Sequence, residues 1–219
     1  MKSNNDDNEF PIVTLETYAL NTLRKLILDG EIKPGQRLDQ DELSIKMRVS
    51  RNPIRNAIRA LATEGIIDIY PHKGAFIRQL SSDEIEEIYS LRAVIEGFTS
   101  KLAMANITDE HISILISICD KLDQTNDPDE YLELNHLFHD TIYEQAKRRY
   151  FASVICNLRN ILAPAIRQYV ATENHLKLAR LGHRRILNAV INKDPELVEL
   201  ETKKHLLEVF EGIKQLKDS

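Results

Sequence analysis

The chain has 219 residues, 42% of them hydrophobic and 29% charged, with a net charge of -5, which excludes a low-complexity chain and points to a folded soluble protein of two domains. Its two cysteines, Cys119 and Cys156, exclude a disulfide framework or a zinc ribbon. The opening "MKSNNDDNEF" has no apolar segment behind it, and no run approaches the roughly 20 apolar residues of a membrane span, so a reducing cytoplasm is the expected setting.

The charge is unevenly divided. Residues 1–80 carry 12 Lys+Arg against 11 Asp+Glu, and the remainder carries 17 against 23. An asymmetry of this kind is compatible with one half meeting a polyanion. Residues 1–11 hold too little apolar surface to offset the entropy of ordering them and read as a flexible arm. From Val13 to Asp29, Leu20, Leu23, Ile27 and Leu28 repeat at helical spacing, and Gly30 follows as a terminator. "KPGQRL" is a turn. Asp39 or Gln40 opens a short helix through Met47, and Ser50 is a natural N-cap for a third helix, with Pro53 tolerated in its first turn. That helix ends at Gly65. "IIDIY" and "AFIRQ" then have strand character, joined by "PHKG" at a hairpin tip. Three helices and a hairpin over residues 12–79 make a winged helix-turn-helix. After Leu80 the pattern predicts six helices, about 82–105, 108–123, 127–147, 149–172, 174–193 and 195–217, with Thr108, Asp127 and Pro195 marking starts. The expected fold is therefore mainly α, the winged domain being followed by a six-helix antiparallel bundle over residues 80–219.

The third helix carries the first chemical signal. Between Leu43 and Thr63 there is no acidic residue, while Lys46, Arg48, Arg51, Arg55 and Arg59 supply five positive charges. Arg51, Arg55 and Arg59 follow i, i+4, i+8 spacing and share one face with Asn52 and Asn56, whereas Ile54, Ala57, Ile58 and Leu61 form an apolar stripe. An ordinary solvated face mixes signs, because like charges at i, i+4 repel by roughly a few tenths of a kcal/mol. Here that repulsion is expected to stay uncompensated until a polyanion arrives. In a major groove, Arg suits guanine and Asn suits adenine, so Arg51, Asn52 and Arg55 are expected at base edges. Arg59, Arg48 and Lys46, with Ser50 at the helix start, are expected nearer the phosphates. His72, Lys73 and Gly74 at the hairpin tip are placed to enter or flank the minor groove, although His72 equally suits a plain turn.

With these residues in place, "LRKLILDGEIKPGQRLDQDELSIKMRVSRNPIRNAIRALATEGIIDIYPHKGAFI" resembles the GntR family of bacterial transcription regulators, in its PG turn, SR-x-P-I-R recognition helix, EG turn and glycine wing. The remainder resembles that family's FCD ligand-binding domain, and six helices after the wing are similar to its shorter, VanR-like branch. The resemblance implies a cytoplasmic homodimer that binds a partly palindromic double-stranded operator, as a repressor or an activator, with an affinity set by a small molecule in the helical domain.

"NHLFHD", "GHRRIL" and "KKHLLE" distribute histidines over three bundle helices, and imidazoles from several helices can converge on one divalent ion. Taken singly, each suits a surface or a hydrogen-bonded core position. The FCD pattern, D-x-x-x-H on the third bundle helix and one His on each of the last two, implies His139, His183 and His205 as ligands. Asn135 stands where the family has Asp, and a neutral carbonyl ligand binds more weakly. Zinc, nickel or manganese suits such a set. His136, about 100° round the helix from Asn135, points elsewhere. Arg92 resembles the family's pocket arginine, a partner for an effector carboxylate, and equally suits an intrahelical pair with Glu96. Arg167, beyond Pro164, is a further pocket candidate. No carboxylate pair, nucleophile–base pair or phosphate loop accompanies the histidines, which sets a ligand-controlled DNA-binding regulator ahead of two alternatives: a metal-dependent enzyme with a nucleic-acid tether, and a sensor acting through protein partners.

Overall fold

The structure, a computed structural model, describes residues 14–217; the arm expected at residues 1–11 lies outside the described residues. They divide into two compact units, one ending at Arg78 and the other beginning at Gln79. Among the described residues there are nine α-helices and a three-stranded sheet.

The first unit opens with α1 (Leu15–Leu28), capped by Thr14, whose hydroxyl accepts from Thr17 N. Helix α2 (Gln40–Met47) starts at Asp39, which accepts from Asp41 N and Glu42 N and so satisfies two amides that have no partner within the helix. Arg48 ends α2 in the left-handed region at φ 54°. Two residues later α3 (Arg51–Thr63) begins. It buries Pro53, Ile54, Ala57, Ile58 and Leu61 and leaves its arginines outside. Gly65 at φ 78° turns the chain into the hairpin of β2 (Ile67–Tyr70) and β3 (Gly74–Ile77), where Tyr70 faces Gly74. The turn expected at "KPGQRL" is also partly strand: its last two residues form β1 (Arg37–Leu38), which pairs antiparallel with β3 and puts β3 in the middle. Two residues are too few for an alternating pattern to reveal a strand. Arg24 of α1 grips Glu64 at the end of α3 through two bonds of 2.5 and 2.8 Å.

The second unit consists of α4 (Ser82–Ala103), α5 (Asp109–Gln124), α6 (Pro128–Tyr143), α7 (Arg149–Val170), α8 (Glu173–Ile191) and α9 (Pro195–Lys217), with one 3-10 turn at Glu144–Ala146. Ser81 with Glu84, and Thr108 with His111, form capping boxes that fix the starts of α4 and α5. Helices α4 and α9 run in opposite directions, since Tyr89 meets Phe210, Ser100 meets Thr202 and Lys101 meets Glu196. So do α5 and α8, through Asp109–Lys193, Asp120–Arg184 and the Thr125 carbonyl on Arg180. The core between them is apolar, from Ile85 and Leu115 to Phe138, Leu162, Ile186 and Val198, with buried histidines and tyrosines on its inner side. Helix α7 continues through Pro164. No helix among the described residues is long and apolar enough to cross a membrane.

Candidate functional site

In the first unit, Arg51, Asn52, Arg55, Asn56 and Arg59 are all exposed along one side of α3 while its opposite side is core. No acidic residue lies in its first turn, and Ser50, at the N-cap position, makes no capping bond through its side chain. Its hydroxyl and the unpartnered amides of the first turn are therefore open to an anion. Asn52 Oδ1 accepts from Arg55 Nη2 at 2.7 Å, which presents the two side chains as one unit. Arg48 is exposed between α2 and α3, and His72 and Lys73 are exposed at the hairpin tip, His72 at φ 62° and Gly74 at φ 102°. The expectation of uncompensated charge needs correction. Arg51 pairs with Asp41, Lys46 with Glu31 at 2.8 Å, and Asn56 donates to Glu16 at 2.9 Å. These acids come from outside the acid-free stretch, and at such exposure each pair is weak enough to exchange for phosphate.

In the second unit, His139 of α6, His183 of α8 and His205 of α9 converge in the core, with one nitrogen from each lying within 4.8 Å of the others. All three are buried, at 3%, 1% and 3% exposure. Asn135 lies one turn before His139 and lines the same cavity, together with Arg92, His139 and His205. Close approach of α8 and α9 depends on Gly182, because a Cβ there would overlap the His205 ring.

A chain of polar contacts sets the state of His139. Glu96 is fully buried, receives Arg92 Nε at 2.5 Å and Tyr143 Oη at 2.8 Å, and has Arg159 Nη2 at 3.7 Å. Burial would raise its pKa, but the guanidiniums of Arg92 and Arg159 hold it below the ordinary carboxylate value. Tyr143 gives its one proton to this carboxylate, so its oxygen accepts from His139 Nδ1 at 3.2 Å. His139 Nε2 is then the lone-pair nitrogen, and it faces His183 Nε2 at 3.2 Å. Burial pushes all three imidazoles below their ordinary value, His205 to about 3, so each is neutral near pH 7. Nδ1 of His183 and Nδ1 of His205 are buried with no hydrogen-bond partner among the described residues. Neutral, convergent imidazoles, one of them oriented by a carboxylate-backed phenol and two holding unpartnered nitrogens, fit a divalent cation.

The remaining predicted positions separate. Arg92 is both the i, i+4 partner of Glu96 and a wall of the cavity. Arg167 does not join it: its guanidinium pairs with Asp129 near the start of α6, because its side of α7 turns away from the core that Ile166 and Tyr169 face. His136 lines a different cavity, with Asp140, Cys156 and Arg159.

The family model described as "Bacterial regulatory proteins, gntR family" matches residues 17–77, and that described as "FCD domain" matches residues 87–208. The chain belongs to the GntR family. Over 185 residues it is 31% identical to a gluconate operon transcriptional repressor of Bacillus licheniformis, covering 80% of this chain and 75% of that one. An HTH-type transcriptional regulator of Bacillus subtilis, YdhC, is 27% identical over 195 residues, 87% of this chain and 85% of the relative. The solved structure of Escherichia coli McbR/YncC superposes with a TM-score of 0.82 at 22% identity, covering 94% of this chain and 100% of that one, a likeness of fold. As a GntR-family chain with an FCD domain, the protein is a transcriptional regulator with a DNA-binding domain, and not an enzyme.

Sequence reasoning missed several residues that shape the histidine site of this GntR chain. Tyr143 stands at His139+4, so Asn135, His139 and Tyr143 form one stripe of α6 that the spacing alone makes visible. Tyr131 extends the same stripe one turn ahead of Asn135, whereas Arg159 and Tyr169 left no such signal, since they reach the site from α7.

Proposed function

We propose that the protein is an effector-controlled regulator that binds a partly palindromic operator as a homodimer. The observation that carries the reading is the exposed guanidinium and carboxamide face of α3 on a helix whose other side is core. Laid in a major groove, Arg51, Asn52 and Arg55 address base edges, Arg51 first releasing Asp41. Ser50, Arg48, Lys46 and Arg59 meet phosphates, and His72, Lys73 and Gly74 flank the minor groove. A second copy is supported by an apolar surface within the helical unit: Leu91, Val94 and Phe98 on α4 and Tyr150 and Val154 on α7 are all exposed.

His139, His183 and His205, with the carbonyl of Asn135, are the residues that would hold zinc, nickel or manganese. When bound, the ion supplies a Lewis-acid position for an effector carboxylate, and Arg92 supplies the charge beside it. Six helices in the second unit favour the VanR-like branch, and similarity to a named repressor favours repression. Control follows from linkage: an effector shifts operator affinity only by its differential affinity for the two arrangements of the dimer.

Selection of bound DNA from a random pool, followed by mobility-shift titration, tests the reading. Arg55→Ala is expected to lose about 1–3 kcal/mol of specific affinity and to relax preference at one base position. Unchanged affinity and preference in Arg51→Ala, Asn52→Ala and Arg55→Ala alike would refute it.

A further inference from the structure

The cavity beside the histidines is walled by three tyrosines from three helices, Tyr89 of α4, Tyr131 of α6 and Tyr169 of α7. Each is at most 1% exposed; the hydroxyls of Tyr131 and Tyr169 have no hydrogen-bond partner among the described residues, and that of Tyr89 has the Arg92 guanidinium beside it. Tyr143, whose hydroxyl is fully engaged with Glu96 and His139, marks the contrast. An unsatisfied buried hydroxyl costs about 1–3 kcal/mol, a cost that phenylalanine, of nearly the same shape, would avoid. Two such groups, Tyr131 and Tyr169, on one cavity therefore point to a polar occupant. Burial raises all three phenols, Tyr89 to about 12, so each keeps its proton and can both donate and accept.

The charge of the lining narrows the occupant. Arg92 is the guanidinium among the described lining residues, and Glu96 already answers much of its charge. The rest of the polar lining is neutral: an asparagine, two imidazoles and the phenols. With an ion held by neutral ligands beside Arg92, the site offers positive charge to a carboxylate, and neutral hydroxyls on the same molecule would find the phenols. The cavity measures about 30 Å³, room for about two water molecules, so it suits a small occupant and must open to admit one. Helix α7 offers the yielding wall, since Pro164 removes a helical hydrogen bond just ahead of Ile166, Tyr169 and Val170.

We infer that the tyrosines are the specificity-determining residues of the effector site and that the effector is a small carboxylate bearing hydroxyl groups, read by Tyr89, Tyr131 and Tyr169. The inference rests on the proposed reading of this cavity as the effector site. A site built to bond hydroxyls rejects the analogue that lacks them, because its own polar groups are then left unpaired.

The test is calorimetric titration of the full chain, loaded with zinc, with glycerate and with propionate, which differ by two hydroxyls. Wild type is expected to favour glycerate by about tenfold or more, and Tyr131→Phe/Tyr169→Phe to lose most of that preference. A thermal melt without either acid should leave this variant as stable as wild type or more so, since it removes unsatisfied hydroxyls, while glycerate should raise the melting temperature of wild type more than that of the variant. A glycerate preference that survives in full in the double variant belongs to chelation at the ion and overturns the assignment. Equal affinity for the two acids in wild type overturns the hydroxyl reading and leaves the carboxylate reading standing. Binding of neither acid overturns both.

Discussion

The two units use the same residue types in opposite ways. In the first, arginines line the outside of α3 and their acidic partners are exposed; in the second, Arg92, Arg159 and Glu96 are locked together in the core beside three neutral histidines. The glycines divide along the same line. Gly30, Gly35, Gly65 and Gly74 all have positive φ and serve turns, whereas Gly97, Gly182 and Gly212 sit in helices where a Cβ would strike a neighbouring side chain. An exposed charge stays solvated and can trade one partner for another, which suits a surface that docks on and leaves a polyanion. A buried charge is costly until every partner is in place, which suits a site whose state must be well defined.

The comparison breaks most visibly at Glu96. Glu96→Ala strands the buried Arg92 guanidinium, leaves Arg159 with Asp140 alone and frees Tyr143, so chemical denaturation should report a loss of about 3–5 kcal/mol, the range for removing one member of a buried ion pair. A loss below 1 kcal/mol, in the range of surface pairs, would erase the distinction between the units. Next comes the metal. At a zinc concentration near 100 times its dissociation constant, the protein should gain about 2.7 kcal/mol, and His183→Ala should lose that gain while keeping operator binding in the absence of metal. Elemental analysis of protein purified without chelator checks the same site.

Acid sharpens the contrast further. An imidazole whose folded pKa lies below its unfolded value near 6.5 contributes fully above that pH and loses its contribution as the pH falls. For metal-free protein, His205, held near 3 by burial and by Arg92 and Arg185, should withdraw about 1.4 kcal/mol per pH unit below about 6.5. A melting temperature flat between pH 7 and 5 would contradict that burial. The smallest effect belongs to the first unit: Lys46→Ala removes an exposed pair with Glu31 and should change stability by less than about 1 kcal/mol. If Lys46 meets a phosphate, the same substitution should flatten the salt dependence of DNA binding by about one unit of slope.

Much of this was legible in advance because the informative spacings are local. The i, i+4, i+8 arginines, the caps at Thr108 and Asp127, and the stops at Gly30 and Gly65 depend on neighbours within one or two turns, and all of the corresponding helices form, although Ser50, expected as a cap, starts α3 without a side-chain capping bond. Strand β1 was missed because it exists only through pairing with β3, where Arg37 faces Phe76 and Leu38 faces Ala75, far along the chain. Arg167 was misjudged as a cavity residue because a proline ahead of it gives no information on which side of α7 faces the core. The acids that answer Arg51 and Lys46 escaped notice for a related reason: Asp41 and Glu31 lie in other segments and meet the basic face only after folding.

By itself, then, the amino-acid order determined the helices, the exposed basic face of α3, the hairpin and which residue types were available for a metal, since each depends on periodicity and local capping. Only the packing of α4, α6, α7, α8 and α9 decided that three histidines share a point, that Glu96 and Tyr143 orient one of them, and that three phenols surround the space beside it. Convergence of side chains from distant helices is a property of tertiary distances, which no single stretch of sequence carries.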